Sequence, residues 1–290
     1  MSLLSGLEKF GLNVSQDVDI FKEEEETPRG RGPQAKKEEV KKEEIPPEES
    51  FILEKGIRCP VCDNVFKTKM IKSGRVKRLE SDKDLRPRHQ YIDTLKYDVC
   101  SCPKCGYTAM HRFFPHVSQV QIKLIQKDIC ANFRSQTEEE PPTYDYDRAI
   151  DRYKLALFNT VVKKGKTSEK AYTCLKIAWL YRGKAETMDS STEAGKKSIA
   201  EAKKEEEAFY QQAYDGLMKA VSTEMFPICG MDQGTMDFLL AAMSMHYKKY
   251  DVASKLLAGI LTSPTAGRQM KDKALILKEE VVAELKKGRG

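Results

Sequence analysis

Ile57-Arg58-Cys59-Pro60-Val61-Cys62 and, further on, Cys102-Pro103-Lys104-Cys105-Gly106-Tyr107 are the two stretches from which the rest of this chain is read. Each is a Cys-x-x-Cys turn, or knuckle. The two-residue gap lets both sulfurs of a turn face one ion while backbone amides face the sulfurs. Gly106 permits the positive φ that such a tight turn wants. Four thiolates around a d¹⁰ ion make a closed tetrahedral structural site with no open position for water. The expected ligand set is therefore Cys59, Cys62, Cys102 and Cys105, holding one Zn²⁺ per chain. Iron is the competing ion, because rubredoxin-type sites use the same two knuckles. A closed site argues against metal-assisted hydrolysis.

Between the knuckles, 65–71, 75–79 and 95–101 read as strands, with Ser73-Gly74 as a hairpin turn between the first two. This stretch is basic: Lys67, Lys69, Lys72, Arg75, Lys77, Arg78, Arg86 and Arg88 outnumber Glu80, Asp82 and Asp84, with Phe66 and Tyr91 at its ends. Such a basic hairpin, 65–91, offers phosphate contacts to a nucleic acid or a ribosome. The blander reading is a solvated strand face whose lysines block edge-to-edge pairing. Cys100, two residues before Cys102, shares its strand face. Cys130, Cys174 and Cys229 read as small buried side chains. His111 and His116 could bind metal, but four thiolates already complete the shell. His89 and His246 show no partner pattern.

After residue 116 the apolar period becomes helical. Helices are expected over 119–134, 146–162, 168–184, 193–222, 234–247, 251–261 and 268–286, separated by Pro141-Pro142, Gly165, Pro227, Gly230 and Pro264. Three of them share one phrase: Ala149, Tyr153, Ala156, Leu157; Ala213, Leu217, Ala220, Val221; Ala253, Leu257, Ile260, Leu261. A small residue followed by large apolar ones is the face of the second helix in a tetratricopeptide (TPR) repeat. The spacing between phrases is irregular, so the array is TPR-like and degenerate. Stacked helical pairs of this kind form a concave surface that suits a protein partner.

Residues 1–50 are the remaining segment. Leu3, Leu4, Leu7 and Phe10 stand at helical spacing, and 22–50 alternates charge runs with prolines. There is too little apolar surface there to offset the entropy of ordering, so a disordered charged tail is expected. The 290-residue chain is 32% charged, with a formal net charge of +6 and a mean hydropathy of −0.57. No apolar run approaches the ~20 residues of a membrane span. With no secretory signal pattern at the start, a cytoplasmic protein is expected. The fold class expected is α+β: a small β-rich zinc-ribbon-like domain over 51–116, then an all-α TPR-like array over 117–290.

Ile57 to Cys62, Arg86-Pro87-Arg88 followed by Tyr91, Tyr97-Asp98-Val99, and Cys102 to Tyr107 before a helical tail together resemble the uncharacterised bacterial domain-of-unknown-function 2225 family. The likeness covers roughly 50–265. The chain departs from the family pattern at Asp63, where glycine commonly follows the second cysteine. The resemblance implies a bacterial cytoplasm and adds no enzymatic activity. No Gly-rich phosphate loop, G-x-S-x-G or H-E-x-x-H occurs. The chain is accordingly expected to be a non-catalytic, zinc-binding interaction scaffold. Nucleic-acid binding and rubredoxin-like electron transfer are the alternatives, and no small-molecule substrate is expected.

Overall fold

Each knuckle closes a β-hairpin. In the computed structural model, which describes residues 45–134 and 140–287, β1 (Ile52–Arg58) runs into the first knuckle and returns as β2 (Val65–Ile71). The pair is antiparallel, from Ile52 opposite Ile71 to Arg58 opposite Val65. Next to the second knuckle, β3 (Val99–Ser101) pairs with β4 (Thr108–Met110), Cys100 lying opposite Ala109. A 3-10 turn, Thr94–Tyr97, occupies the first half of the expected strand 95–101; Asp93 caps it by accepting a hydrogen bond from the Leu95 amide. The apolar segment 1–12 and most of the expected tail fall outside the described residues. The described chain is already packed before residue 51: Glu48 accepts a hydrogen bond from Tyr97 Oη (2.7 Å) and pairs with Lys96 (2.6 Å).

The expected hairpin between 65–71 and 75–79 does not form. Its partner strand is β1, whose Glu54-Lys55-Gly56 centre has weak strand propensity and pairs because the knuckle fixes the turn. The Lys72 amide bonds to Phe51 O, ending the hairpin. Residues 73–93 then leave the sheet as a strap held by charge. Arg78 keeps a single bridge to His89.

Seven α-helices follow among the described residues: α1 (Gln119–Ile125), α2 (Tyr146–Val162), α3 (Thr167–Thr187), α4 (Glu193–Thr223), α5 (Gln233–His246), α6 (Tyr250–Thr262) and α7 (Arg268–Lys287). Their starts are capped locally. Ser118 and Gln121 form a reciprocal capping box on α1, and Asp145, Thr192 and Asp232 accept from the third amide of α2, α4 and α5. The expected single helix over 119–134 is shorter: after Ile125 it widens into a π-helical turn, Gln126–Cys130, with the Ala131 amide bonding back five residues to Gln126 O. Helix α3 is buried on most of its faces, with Leu175, Ile177, Ala178 and Leu180 fully buried. It is the central helix, covered by α2 and α4. The fold is α+β.

The core is shared between the two halves. Leu95, Val99 and Met110 from the β-rich part pack in one cluster with Ala149, Tyr153, Leu175, Leu217 and Leu239 from the helices. A second cluster surrounds the knuckles, and a third joins α5, α6 and α7. The strap crosses onto α3. Arg86 is buried and reaches Glu186 (3.0 Å), Asp82 (3.6 Å) and Asp93 (3.6 Å), while Asp84 accepts the indole N–H of Trp179 at 2.9 Å.

Candidate metal centre

The two knuckles are built alike. In the first, the Cys59 amide bonds to Asn64 O and the Asp63 amide to Cys59 O; in the second, the Cys102 amide bonds to Tyr107 O and the Gly106 amide to Cys102 O. Both turns need a left-handed residue after the second cysteine. Gly106 supplies it at φ +75, and Asp63 adopts it at φ +58. The departure from the glycine pattern therefore leaves the turn intact; aspartate is among the residues that tolerate this region best.

The hairpins bring Cys59, Cys62, Cys102 and Cys105 together with all four sulfurs within 4.8 Å of one another. Across the knuckles, Cys59 Sγ lies 3.7 Å from Cys105 Sγ and Cys62 Sγ lies 3.6 Å from Cys102 Sγ. A tetrahedral ion with metal–sulfur bonds of about 2.3 Å requires sulfur–sulfur edges of ~3.8 Å. The residues present fit a tetrathiolate ion, and three of the four are buried. Backbone amides face the sulfurs: Val61 and Cys62 towards Cys59, Lys104 and Cys105 towards Cys102, Tyr107 towards Cys105. Asn64 Nδ2 donates across the gap to Cys102 Sγ at 3.9 Å.

Crowded together, the four thiols do not ionise independently. Hydrogen bonds from Cys105 and Cys59 hold Cys102 down to about 2. The bond to Cys102 pushes Cys59 up to about 12 and Cys105 upward as well. A divalent cation is what would let all four ionise together.

The neighbouring groups sort into those that touch the clamp and those that do not. Cys100 is buried on β3 with its sulfur 2.8 Å from His111 Nδ1, and His111 Nε2 lies 3.1 Å from Tyr97 O. This imidazole is committed to Cys100 and Tyr97. His116 is exposed. His89 Nδ1 meets Thr94 Oγ1 at 3.2 Å, and His246 Nε2 meets Glu207 at 2.7 Å. Cys174 and Cys229 are buried. Cys130 is different: only half-buried, it packs against the knuckle cluster. Helical period alone put Cys130 beside a core position, Ile129, with no hint of a contact to a turn far back in the chain.

The eight basic residues singled out between the knuckles do not form one patch. Arg86 is buried among carboxylates, Arg88 pairs with Asp82 (2.7 Å) and Glu186 (2.7 Å), and Lys69 is buried between Glu54 (3.6 Å) and Glu140 (3.7 Å). These three are internal ion pairs, not free phosphate contacts. The signal was present in the interleaved acids Asp82 and Asp84. Lys67 pairs with Glu54 at 3.2 Å, and Lys72 and Arg75 reach Ser50 O. Lys77 and Arg78 are exposed.

A family model described as "Uncharacterized protein conserved in bacteria (DUF2225)" matches residues 52–281. No curated protein and no solved structure matches the chain.

Proposed function

The chain belongs to the DUF2225 family of proteins conserved in bacteria, and on that footing we propose that it is a non-catalytic interaction scaffold whose β-rich part is held by a structural zinc ion. The observation that carries this reading is the clustering of the Cys59, Cys62, Cys102 and Cys105 sulfurs within 4.8 Å, with the two cross-knuckle edges at 3.7 and 3.6 Å near those of a tetrahedral tetrathiolate. The support of the second knuckle by α2 agrees with it. Asn159 Nδ2 donates to Gly106 O at 3.1 Å, so α2 braces the second knuckle from behind. A site braced in this way suits a structural role, and four thiolates would fill the ion's shell with no position left for water.

The helical part supplies the surface. The phrase residues Ala149, Tyr153 and Ala156 on α2, Ala213, Leu217 and Ala220 on α4, and Ala253, Leu257 and Ile260 on α6 are all buried. Their partners are the neighbouring helices, α3 against α4 and α5 against α6. Small residues there allow close approach, as where Ala171 Cβ comes within 2.7 Å of the position a side chain on Gly216 would take. This favours a TPR-like stack that presents its remaining face to a protein partner. A cytoplasmic setting agrees with a cluster of reduced thiols.

Elemental analysis of the purified chain tests the metal. One tightly held zinc per polypeptide is expected, lost when any one of the four cysteines becomes serine. A red protein containing iron would replace zinc by a rubredoxin-like centre. Affinity capture from native lysate, with and without nuclease, tests the scaffold. A partner retained after nuclease treatment and high salt is expected, whereas material that disappears with nuclease would shift the reading to nucleic-acid binding.

A further inference from the structure

Residues 82–86 of the strap form a tight turn seated on the helices. The Leu85 amide bonds to Asp82 O (2.9 Å) and the Asp82 amide to Arg86 O (3.0 Å). Alternate helices receive its side chains. On α3, Trp179 Nε1 donates to Asp84 (2.9 Å), and Arg182 pairs with Asp84 (2.9 Å) and Asp82 (3.5 Å). On α7, Glu280 takes the exposed Lys83 at 2.6 Å. Leu85 packs against both the central cluster and the one that joins α5, α6 and α7. It does so at φ +65, a left-handed backbone that a leucine keeps only where its surroundings hold it. The turn is shaped by its groove, as a bound ligand is. The fit is incomplete: cavities of about 180 and 330 Å³ adjoin the turn, both bounded by Asp82, Lys83, Leu277 and Glu280.

We propose that the turn 82–86 is an internal ligand, occupying in cis a groove on α3, α5 and α7 that recognises an acidic Asp-x-Asp-Leu segment of a partner protein, which binds by displacing it. This rests on the reading of the helices as a stack that takes a protein partner. The groove's own donors define the chemistry. With the turn lifted away, the Trp179 N–H loses its acceptor, and Arg182 loses two of its three carboxylates, keeping Glu206. Donors left in this way call for carboxylates in return. Where Leu85 leaves, a socket opens beside Phe238 and Leu277 that suits one leucine. A segment tethered beside its groove competes at an effective concentration of order mM. The intact chain should therefore hold a free segment weakly, and a chain with a disabled turn should hold it well.

The test uses the full-length chain and a fluorescent peptide with the sequence of residues 79–88, binding being read by anisotropy. Asp84→Ala/Leu85→Ala disables the turn and leaves every groove side chain in place. It is expected to bind the peptide at least tenfold more tightly than wild type. Adding Arg182→Ala should remove that gain, and a peptide carrying Asp84→Ala/Leu85→Ala should fail to compete. Equal binding by wild type and the folded double variant, or binding indifferent to Arg182→Ala, overturns the proposal. If circular dichroism shows the double variant unfolded, Lys83→Ala takes its place, since it removes only an exposed pair. It should bind about threefold more tightly than wild type, and equal binding again overturns the proposal. Capture of no protein from lysate counts against the scaffold reading and not against the groove, which the peptide tests directly.

Discussion

Asp63 and Gly106 occupy the same place in two copies of one turn, and the comparison isolates what each residue contributes. At Gly106 two effects coincide: a φ of +75, and a ring of Phe133 where a Cβ would sit. Gly106→Ala should therefore cost about 1–3 kcal/mol, read as a lower urea midpoint of the metal-loaded protein. At Asp63 only the backbone matters, because its ion pair with Arg58 has both side chains largely in solvent. Asp63→Gly should leave stability within about 1 kcal/mol of wild type, while Asp63→Val should lose ~1–2 kcal/mol. Equal midpoints for the glycine and valine variants would remove the turn argument. His111 gives a pH dependence. Burial depresses its pKa below the usual 6.5, and its ring nitrogens are committed to Cys100 and Tyr97. A histidine kept neutral in the fold binds its proton more readily once unfolded. Its contribution is complete above about pH 6.5 and declines as pH falls from there towards the depressed value. His111→Gln should flatten the stability profile in that window, measured with metal content held constant.

At the scale of elements, the strap 73–93 shows where sequence reading stops. The knuckles were legible because a Cys-x-x-Cys turn is a local object whose spacing states its geometry. Helix α2 was legible because Ala149, Tyr153 and Ala156 repeat with the helical period. The partner of β2 was not, because pairing depends on which turn closes first, and Glu54-Lys55-Gly56 carries little strand signal of its own. The charges between the knuckles escape sequence reading for the same reason. Arg86 and Lys69 look like surface cations until long-range folding delivers Glu186 and Glu140 to them. Arg86 now sits among Asp82, Asp93 and Glu186. Removing it takes the cation from Asp93, while Asp82 and Glu186 keep Arg88. Arg86→Ala should cost about 1–3 kcal/mol. The single tryptophan is a built-in reporter, since the Trp179 indole donates to Asp84 on the strap. Release of the strap should shift Trp179 emission to the red. A stable Arg86→Ala protein with unchanged emission would show that the strap is held by packing and not by its charges.

For the molecule as a whole, the question is whether the β-rich part and the helices unfold together. The knuckle hairpins are short, two strands each, and such hairpins are marginal alone. Structural zinc in small domains supplies an apparent ~10–16 kcal/mol of binding free energy, far more than so small a core can. Without metal, residues 55–112 should therefore lose their structure. That loss cannot stay local. Leu95, Val99 and Met110 are part of the helical core, Asn159 on α2 bonds into the second knuckle, and Tyr153 Oη donates to Leu95 O at 3.2 Å. Melting the hairpins removes one wall of the cluster around α2 and α3. The expectation is a single cooperative transition in the metal-loaded chain, seen at the same temperature by far-UV circular dichroism and by Trp179 emission. Exhaustive chelation should lower both signals' midpoints together. Two separated transitions, or a Trp179 signal indifferent to chelation, would mean that the helices are stable without the ribbon and that the metal props up only the part that binds it.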